Sequence, residues 1–371
     1  MKKVIFLVFV VSFLLVGCSV FTTQDSTEPD HQDQMIEVAK QENEKIDEVK
    51  SKLEPEIIIE NLTIPWTIEK MGDVIYLSER TGGIVKIQNG EAVRQEVNLE
   101  KNLSAAAEAG LLGFVLAPDF EETRSAFAYY TYNDSSGQFN RIVILQLQDD
   151  TWKEEKVLLD KIPSGRVHHG GRLEIGPDDK LYATAGDALE SSIAQDVNSL
   201  GGKILRMNLD GSIPTDNPIS NSYVYSFGHR NPQGIAWSDD GTMYASEHGN
   251  DANDEINRIE AGKNYGWPII EGSEKREGLV SPLFTSGPNK TWAPSGISYY
   301  QGKLYVAALR GQAVLEFDLT TKESRELITN LGRIRDVYVD GSSLYFISNN
   351  TDGRGTASAN DDKLYRLQLP K

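Results

Sequence analysis

The chain has 371 residues, 39% of them hydrophobic, which is enough for a sizeable core in one large all-β domain or in two average domains. Its 55 acidic residues against 37 basic ones leave a formal charge of −18, which argues against nucleic acid or anionic lipid as a partner of the domain surface. The single cysteine, Cys18, excludes an internal disulfide.

At the amino terminus, Lys2-Lys3 precede a 13-residue apolar run from Val4 to Val16. A spanning helix needs roughly 20 apolar residues, so this run has the length of a signal-peptide core instead. It ends in Leu15-Val16-Gly17-Cys18, which resembles the bacterial lipobox. That resemblance implies a lipoprotein signal peptide over residues 1–17, cleavage before Cys18, and an extracytoplasmic protein lipid-anchored to the cell membrane through the Cys18 thiol. The other reading is an ordinary signal peptide with an incidental cysteine. Residues 18–55 follow as an acidic tether: between Asp25 and Glu60 there are 12 acidic and 4 basic residues. Thr22–Gln34 has the composition of a disordered segment, and the sparse apolar residues from Met35 to Leu53 fit a short helix.

Beyond Pro55 the chain turns into short apolar strands broken by Gly, Asp and Asn. Six of them share a tyrosine: Val74–Ser78, Phe127–Thr131, Lys180–Thr184, Thr242–Ser246, Lys303–Ala307 and Ser343–Ile347. The tyrosines Tyr76, Tyr129, Tyr182, Tyr244, Tyr305 and Tyr345 are spaced 53, 53, 62, 61 and 40 residues apart. Units of that length suit four-stranded blades, so the pattern predicts an all-β fold, a six-bladed β-propeller of four-stranded antiparallel blades over residues 56–371. A β-sandwich is the alternative. Ile57-Ile58-Ile59 is placed to add a strand to the last blade and close the ring. The long inserts before and after Tyr244 are expected as loops on the face that carries the site.

Two segments hold the chemistry, Val167-His168-His169-Gly170-Gly171-Arg172 and Gly228-His229-Arg230-Asn231-Pro232. His168 is a candidate base with an ordinary pKa near 6.5, and Arg230 is a candidate cation for developing negative charge. With Asn231 they are the groups expected around an alcohol that loses a proton and a hydride. Each has a plain structural reading as well: a histidine packed between blades, a turn aspartate after glycine at Asp187, a solvated surface role for each arginine. The adjacent pair His168-His169 is a poor zinc signal, because strand neighbours point to opposite faces. Arg333 and Arg335, two apart, fall on one face of a strand.

Taken together, Gly110–Phe114, Ala117–Phe120, His168–Gly176, Gly186-Asp187, Gly201–Pro218, Phe227–Ala236, Ser246–Asn257, Gly262–Pro268 and Gly332–Val337 resemble the soluble glucose and aldose sugar dehydrogenases that use pyrroloquinoline quinone (PQQ). The resemblance implies His168 as the base for the sugar C1 hydroxyl, Asp187 beside it, and Arg230 and Asn231 on the cofactor. It implies Arg310, Arg333 and Arg335 as the cations for the cofactor's three carboxylates. It also implies calcium, held by the carbonyls of Gly249 and Asn250 and by cofactor oxygens. Three positions depart from the family pattern. Glu108 stands at a cofactor-contacting glutamine, where a carboxylate is unfavourable unless protonated, turned away or paired with an arginine. Arg310 replaces a lysine, and Asn250 a proline. A missing insertion after Tyr265-Gly266-Trp267-Pro268 places the chain nearer the shorter aldose enzymes. The implied partners are an aldose and an external electron acceptor. The alternatives are a non-catalytic cell-surface propeller that binds a sugar or protein, and, last, a calcium-dependent lactonase.

Overall fold

The structure, a computed structural model, describes residues 54–370. The signal segment 1–17, Cys18 and the tether up to residue 53 lie outside the described residues.

The described chain is built almost wholly of antiparallel strands that each pair with the next in sequence. The first meander is β1 (Glu56–Ile59), set apart, then β2 (Pro65–Met71), β3 (Val74–Glu79), β4 (Gly83–Gln88) and β5 (Glu91–Asn98). Next come β6 (Leu111–Leu116), one short helix α1 (Phe120–Thr123), β7 (Ser125–Asp134), β8 (Gly137–Gln148) and β9 (Thr151–Pro163). The third holds β10 (Leu173–Ile175), β11 (Leu181–Ala185), β12 (Lys203–Met207) and β13 (Val224–Phe227). The fourth holds β14 (Pro232–Trp237), β15 (Met243–Glu247), β16 (Glu255–Ile259) and β17 (Phe284–Thr285). The fifth holds β18 (Pro294–Tyr300), β19 (Lys303–Ala308), β20 (Ala313–Asp318) and β21 (Ser324–Thr329), and the chain ends with β22 (Ile334–Asp340), β23 (Ser343–Ser348) and β24 (Leu364–Gln368). They form four four-stranded sheets and one eight-stranded sheet, in which the first two meanders meet edge to edge through a parallel β5–β9 contact. This nearly all-β arrangement of four-stranded sheets is that of a β-propeller.

The repeated tyrosine strands are the second strands of their sheets, buried on both faces because each sheet is covered by its neighbours. Tyr76, Phe114, Phe120 and Trp152 pack together in one such layer, with ring centroids 5.2–6.4 Å apart, mostly edge to face but with Phe120 stacked on Trp152. As Ile57–Ile59 suggested, β1 pairs antiparallel with β24, Ile57 opposite Tyr365, so the first and last strands share one sheet. Arg172 ties inner strands together: its Nε donates to the Gln233 carbonyl at 3.0 Å, its Nη1 donates to Asp336 at 3.0 Å, and its guanidinium lies 4.4 Å from the Trp66 ring centroid.

The two long inserts part ways. Residues 208–223 join β12 to β13 and are held by Arg206, whose Nη1 donates to Asp216 at 2.9 Å and to Asn217 at 2.8 Å. Residues 260–283 run from β16 to β17 and carry Trp267 to a hydrogen bond with Asp187 at 2.9 Å. Of the two inserts expected on the site face, this is the one that reaches the site.

Candidate active site

The site residues come from loops at one end of the sheets. Second-to-third-strand connections supply Asp187, Gly249, Asn250, Arg310 and Arg354, and fourth-to-first-strand connections supply Glu108, His168, Arg230, Asn231 and Arg333. Such loops tolerate special backbone geometry that a ladder would forbid. His168 itself has φ 67°. The close approach of Gly186 keeps it in place: a Cβ there would sit 2.1 Å from the His168 carbonyl oxygen.

His168 Nδ1 lies 2.7 Å from Asp187 Oδ1. An ionised carboxylate can only accept, so the proton belongs on Nδ1 and the lone pair on Nε2. Asp187 is fixed in turn. It accepts from the Leu189 backbone N–H and from Trp267 Nε1, both at 2.9 Å, and its own N–H donates to the Arg230 carbonyl at 2.8 Å. The candidate base therefore has an orienting partner that is itself 1% exposed. The neighbouring His169 faces the other way, with its ring nitrogens 2.9 Å from Ser164 Oγ and 3.0 Å from the Ala107 carbonyl, and burial lowers its pKa. His229 is likewise structural, held between Ser226 and Glu247 at 2.8 Å each.

His168, Glu108, Arg230, Asn231, Gly249, Asn250, Arg310, Arg333 and Arg354 line one cavity of about 180 Å³. The Arg230 guanidinium lies 5.3 Å from the Trp267 ring centroid, with Nη1 donating to the His248 carbonyl and Nη2 to Asn250 Oδ1 at 3.4 Å each. Asn231 Oδ1 accepts from Gly170 N–H at 3.0 Å. Arg310 is exposed and makes no side-chain hydrogen bond or ion pair among the described residues. Arg333 is buried and donates to Asp352 at 3.0 Å.

Arg335 departs from the expectation of a direct cofactor contact. It is buried and does not line the cavity, donating instead to Gln233 Oε1 at 2.9 Å and Asn349 Oδ1 at 3.0 Å. The physical reason is depth: Arg333 precedes β22, whereas Arg335 lies within it and points among the inner strands. Burial, with Arg80 and Arg333 nearby, pushes its pKa down to about 9.

Glu108 is paired with an arginine that sequence reasoning missed. Arg354 Nη1 donates to Oε1 at 2.7 Å, and the His168 N–H donates to Oε2 at 3.2 Å. Burial alone would raise the carboxyl, but Arg354 and His248 outweigh it and hold it at about 2. Arg354, Arg80 and His248 were missed because they sit in loops without a repeating pattern. Arg354 follows Asp352-Gly353, an ordinary turn signal.

The donor set suits an anionic ligand. Buried nitrogens of Arg80 (Nη1), Arg230 (Nε), Arg333 (Nε) and His248 (Nε2) have no hydrogen-bond partner among the described residues. Arg230 and Arg333 line the one cavity, and their unsatisfied cationic donors are what several carboxylates would complete, whereas burial lowers the His248 pKa to about 4 and leaves that imidazole neutral. No group of three or more His, Cys, Asp or Glu among the described residues is arranged to hold a metal ion, so a cation here would depend on carbonyl oxygens such as those of Gly249 and Asn250. The Gly249 loop is pinned by Asp254, which accepts its N–H at 2.9 Å.

Loops of the propeller thus set a histidine–aspartate pair against a wall of arginines, an arrangement suited to an anionic ligand. Residues 62–365 match the family model for glucose/sorbosone dehydrogenase, and the chain belongs to that family. It is 34% identical to quinoprotein glucose dehydrogenase B of Acinetobacter calcoaceticus over 63% of this chain and 56% of that protein's length. It is 30% identical to the aldose sugar dehydrogenase of Escherichia coli, over 80% of this chain and 90% of that one. The structure of the PQQ-bound form of aldose sugar dehydrogenase from Streptomyces coelicolor superposes with a TM-score of 0.79 at 34% identity, covering 84% of this chain and 96% of that one.

Proposed function

We propose that the protein oxidises an aldose at C1 to the lactone with PQQ and calcium, and passes the electrons to an external acceptor. The observation that carries the reading is the His168–Asp187 pair opening onto the same cavity as Arg230 and the arginine wall. When bound, the quinone supplies the two-electron sink for the C1 hydride and calcium the Lewis acid beside it. The residues supply the rest. His168 takes the hydroxyl proton on Nε2, Asp187 holds the imidazole in that tautomer, and Arg230 stabilises the negative charge that develops. Asn231, Arg310 and Arg333 hold the cofactor's polar edge, Arg335 supports the wall from beneath, and the Gly249 and Asn250 carbonyls offer the metal its hard oxygens. Glu108, neutralised by Arg354, leaves the wall cationic.

The same reading takes the fold as six-bladed. In support, the eight-stranded sheet divides at β5–β9, and β2, β6, β10, β14, β18 and β22 neighbour one another in turn and return to β2. The chain is then a signal peptide (1–17), a tether (18–55) and a catalytic propeller (56–371), anchored outside the membrane through lipidated Cys18.

A dye-reduction assay of the purified protein with PQQ, calcium and a panel of aldoses tests this. Quinone-dependent reduction is the expected outcome. Silence across the panel, with calorimetry showing no quinone binding, makes a ligand-binding surface propeller the better description.

A further inference from the structure

Among the described residues, five large hydrophobics are exposed: Ile57, Val93, Leu189, Val197 and Ile269. Three of them, Leu189 at 50%, Val197 at 37% and Ile269 at 42%, lie on two loops beside the active site. Residues 186–202 contain Asp187, and residues 260–283 contain Trp267. The loops are bonded to each other there: Trp267 Nε1 donates to Asp187 at 2.9 Å, Gln195 Nε2 donates to the Trp267 carbonyl at 2.6 Å, and Asn264 Nδ2 donates to Gln195 Oε1 at 2.7 Å. Leu189 is displayed against its own backbone preference. Ala188 and Leu189 have φ of 55° and 66°, a conformation costly for a side chain as large as leucine. The turn lets the Leu189 N–H reach Asp187 at 2.9 Å, and in that turn the leucine side chain is left in solvent.

We propose that this apolar rim is the docking surface of a small cationic electron-carrier protein. The inference rests on the proposed dehydrogenase function, which leaves a reduced cofactor that must be reoxidised. Each aldose gives up two electrons and two protons, and a one-electron haem carrier takes the electrons in two successive encounters while the protons go to water. Transient redox encounters are small, with an apolar centre and a charged rim. Here the loop 186–202 has exposed Glu190 and Asp196 next to Leu189 and Val197 and contains no basic residue, on a chain of charge −18. On loop 260–283 the exposed Glu260, Glu274 and Glu277 balance Lys263, Lys275 and Arg276, so it is the loop 186–202 that attracts a basic carrier and repels a second copy of this chain or an anionic bilayer.

The test uses the PQQ- and calcium-loaded protein, a small dye, and basic mitochondrial-type cytochrome c as the probe. The double variant Val197→Ser/Ile269→Ser and, separately, Glu190→Lys are expected to lower kcat/KM for cytochrome c about tenfold or more while leaving dye reduction unchanged. Raising salt from about 0.02 M to about 0.2 M is expected to slow cytochrome reduction by the wild type and not dye reduction. Cytochrome reduction that is indifferent to the variants and to salt overturns the docking surface, as does an equal loss of both activities. A wild type that does not reduce the dye overturns the dehydrogenase reading itself, and that result is distinct from the others.

Discussion

His168 and Glu108 are where single residues decide most. His168→Ala is expected to lower kcat by about 100- to 10,000-fold, the usual worth of a general base, while calorimetry shows PQQ binding nearly unchanged. Loss of binding in a folded variant would reassign the residue to the cofactor. For Glu108 the argument is electrostatic. Arg354→Ala strips the carboxylate of its 2.7 Å partner and is expected to weaken PQQ binding several-fold, whereas Glu108→Gln frees Arg354 and is expected to tighten it. Titration calorimetry on the two variants reads both signs. The depressed pKa of Glu108, about 2 when folded against an ordinary 4.5, gives stability that is full above pH 4.5 and lost as pH falls towards 2. The candidate base, the acid beside it and the Arg230-Asn231 pair were legible in sequence because each sits in a continuous motif. Arg354 was not, since its partner Glu108 lies 246 residues away.

Elements fix the site through backbone contact as much as through side chains. β11 ends at Ala185, and Gly186 then passes against the His168 carbonyl so closely that no side chain fits. Gly186→Ala is expected to destabilise the fold by about 1–3 kcal/mol and to lower kcat along with it, because the loop bearing His168 must move. Chemical denaturation together with steady-state kinetics checks this, and full activity in a stable variant would refute it. The shared tyrosine within short apolar runs such as Lys303–Ala308 made the second strands readable. The excursion 260–283 could be placed as a loop but not aimed, because Trp267 reaches Asp187 only through tertiary contacts.

At the scale of the whole molecule, closure and the inner carboxylates govern stability. Removing residues up to Glu60 deletes β1 and its pairing with β24, and is expected to lower Tm by roughly 5 °C in calorimetry. On the inner strands, burial pushes Glu174 up to about 8, opposed by Arg172 and reinforced by Asp336, and Glu69 is raised well above its ordinary value by burial and by Glu174. A carboxyl whose folded pKa is raised holds its proton more tightly in the native state. Its stabilising effect is full below about 4.5 and is lost as pH rises through about 8, with a slope of at most about 1.4 kcal/mol per pH unit. Glu174→Gln should therefore leave stability near pH 4 unchanged and flatten the decline between pH 5 and about pH 8 in denaturation curves. An unchanged alkaline limb would refute the assignment.

Sequence by itself determined the strand repeat, the all-β class, the closing strand at Ile57–Ile59 and the motifs holding His168, Asp187, Arg230 and Asn231. These are local patterns, set by a two-residue side-chain period and by glycines next to polar groups. Only the tertiary structure decided which cations face the cavity, that Arg335 lies beneath it, that Arg354 neutralises Glu108, and that Leu189, Val197 and Ile269 stand exposed beside the base. Those outcomes depend on side-chain depth and on pairs far apart in the chain, and charge pairing and burial act through space rather than along the sequence.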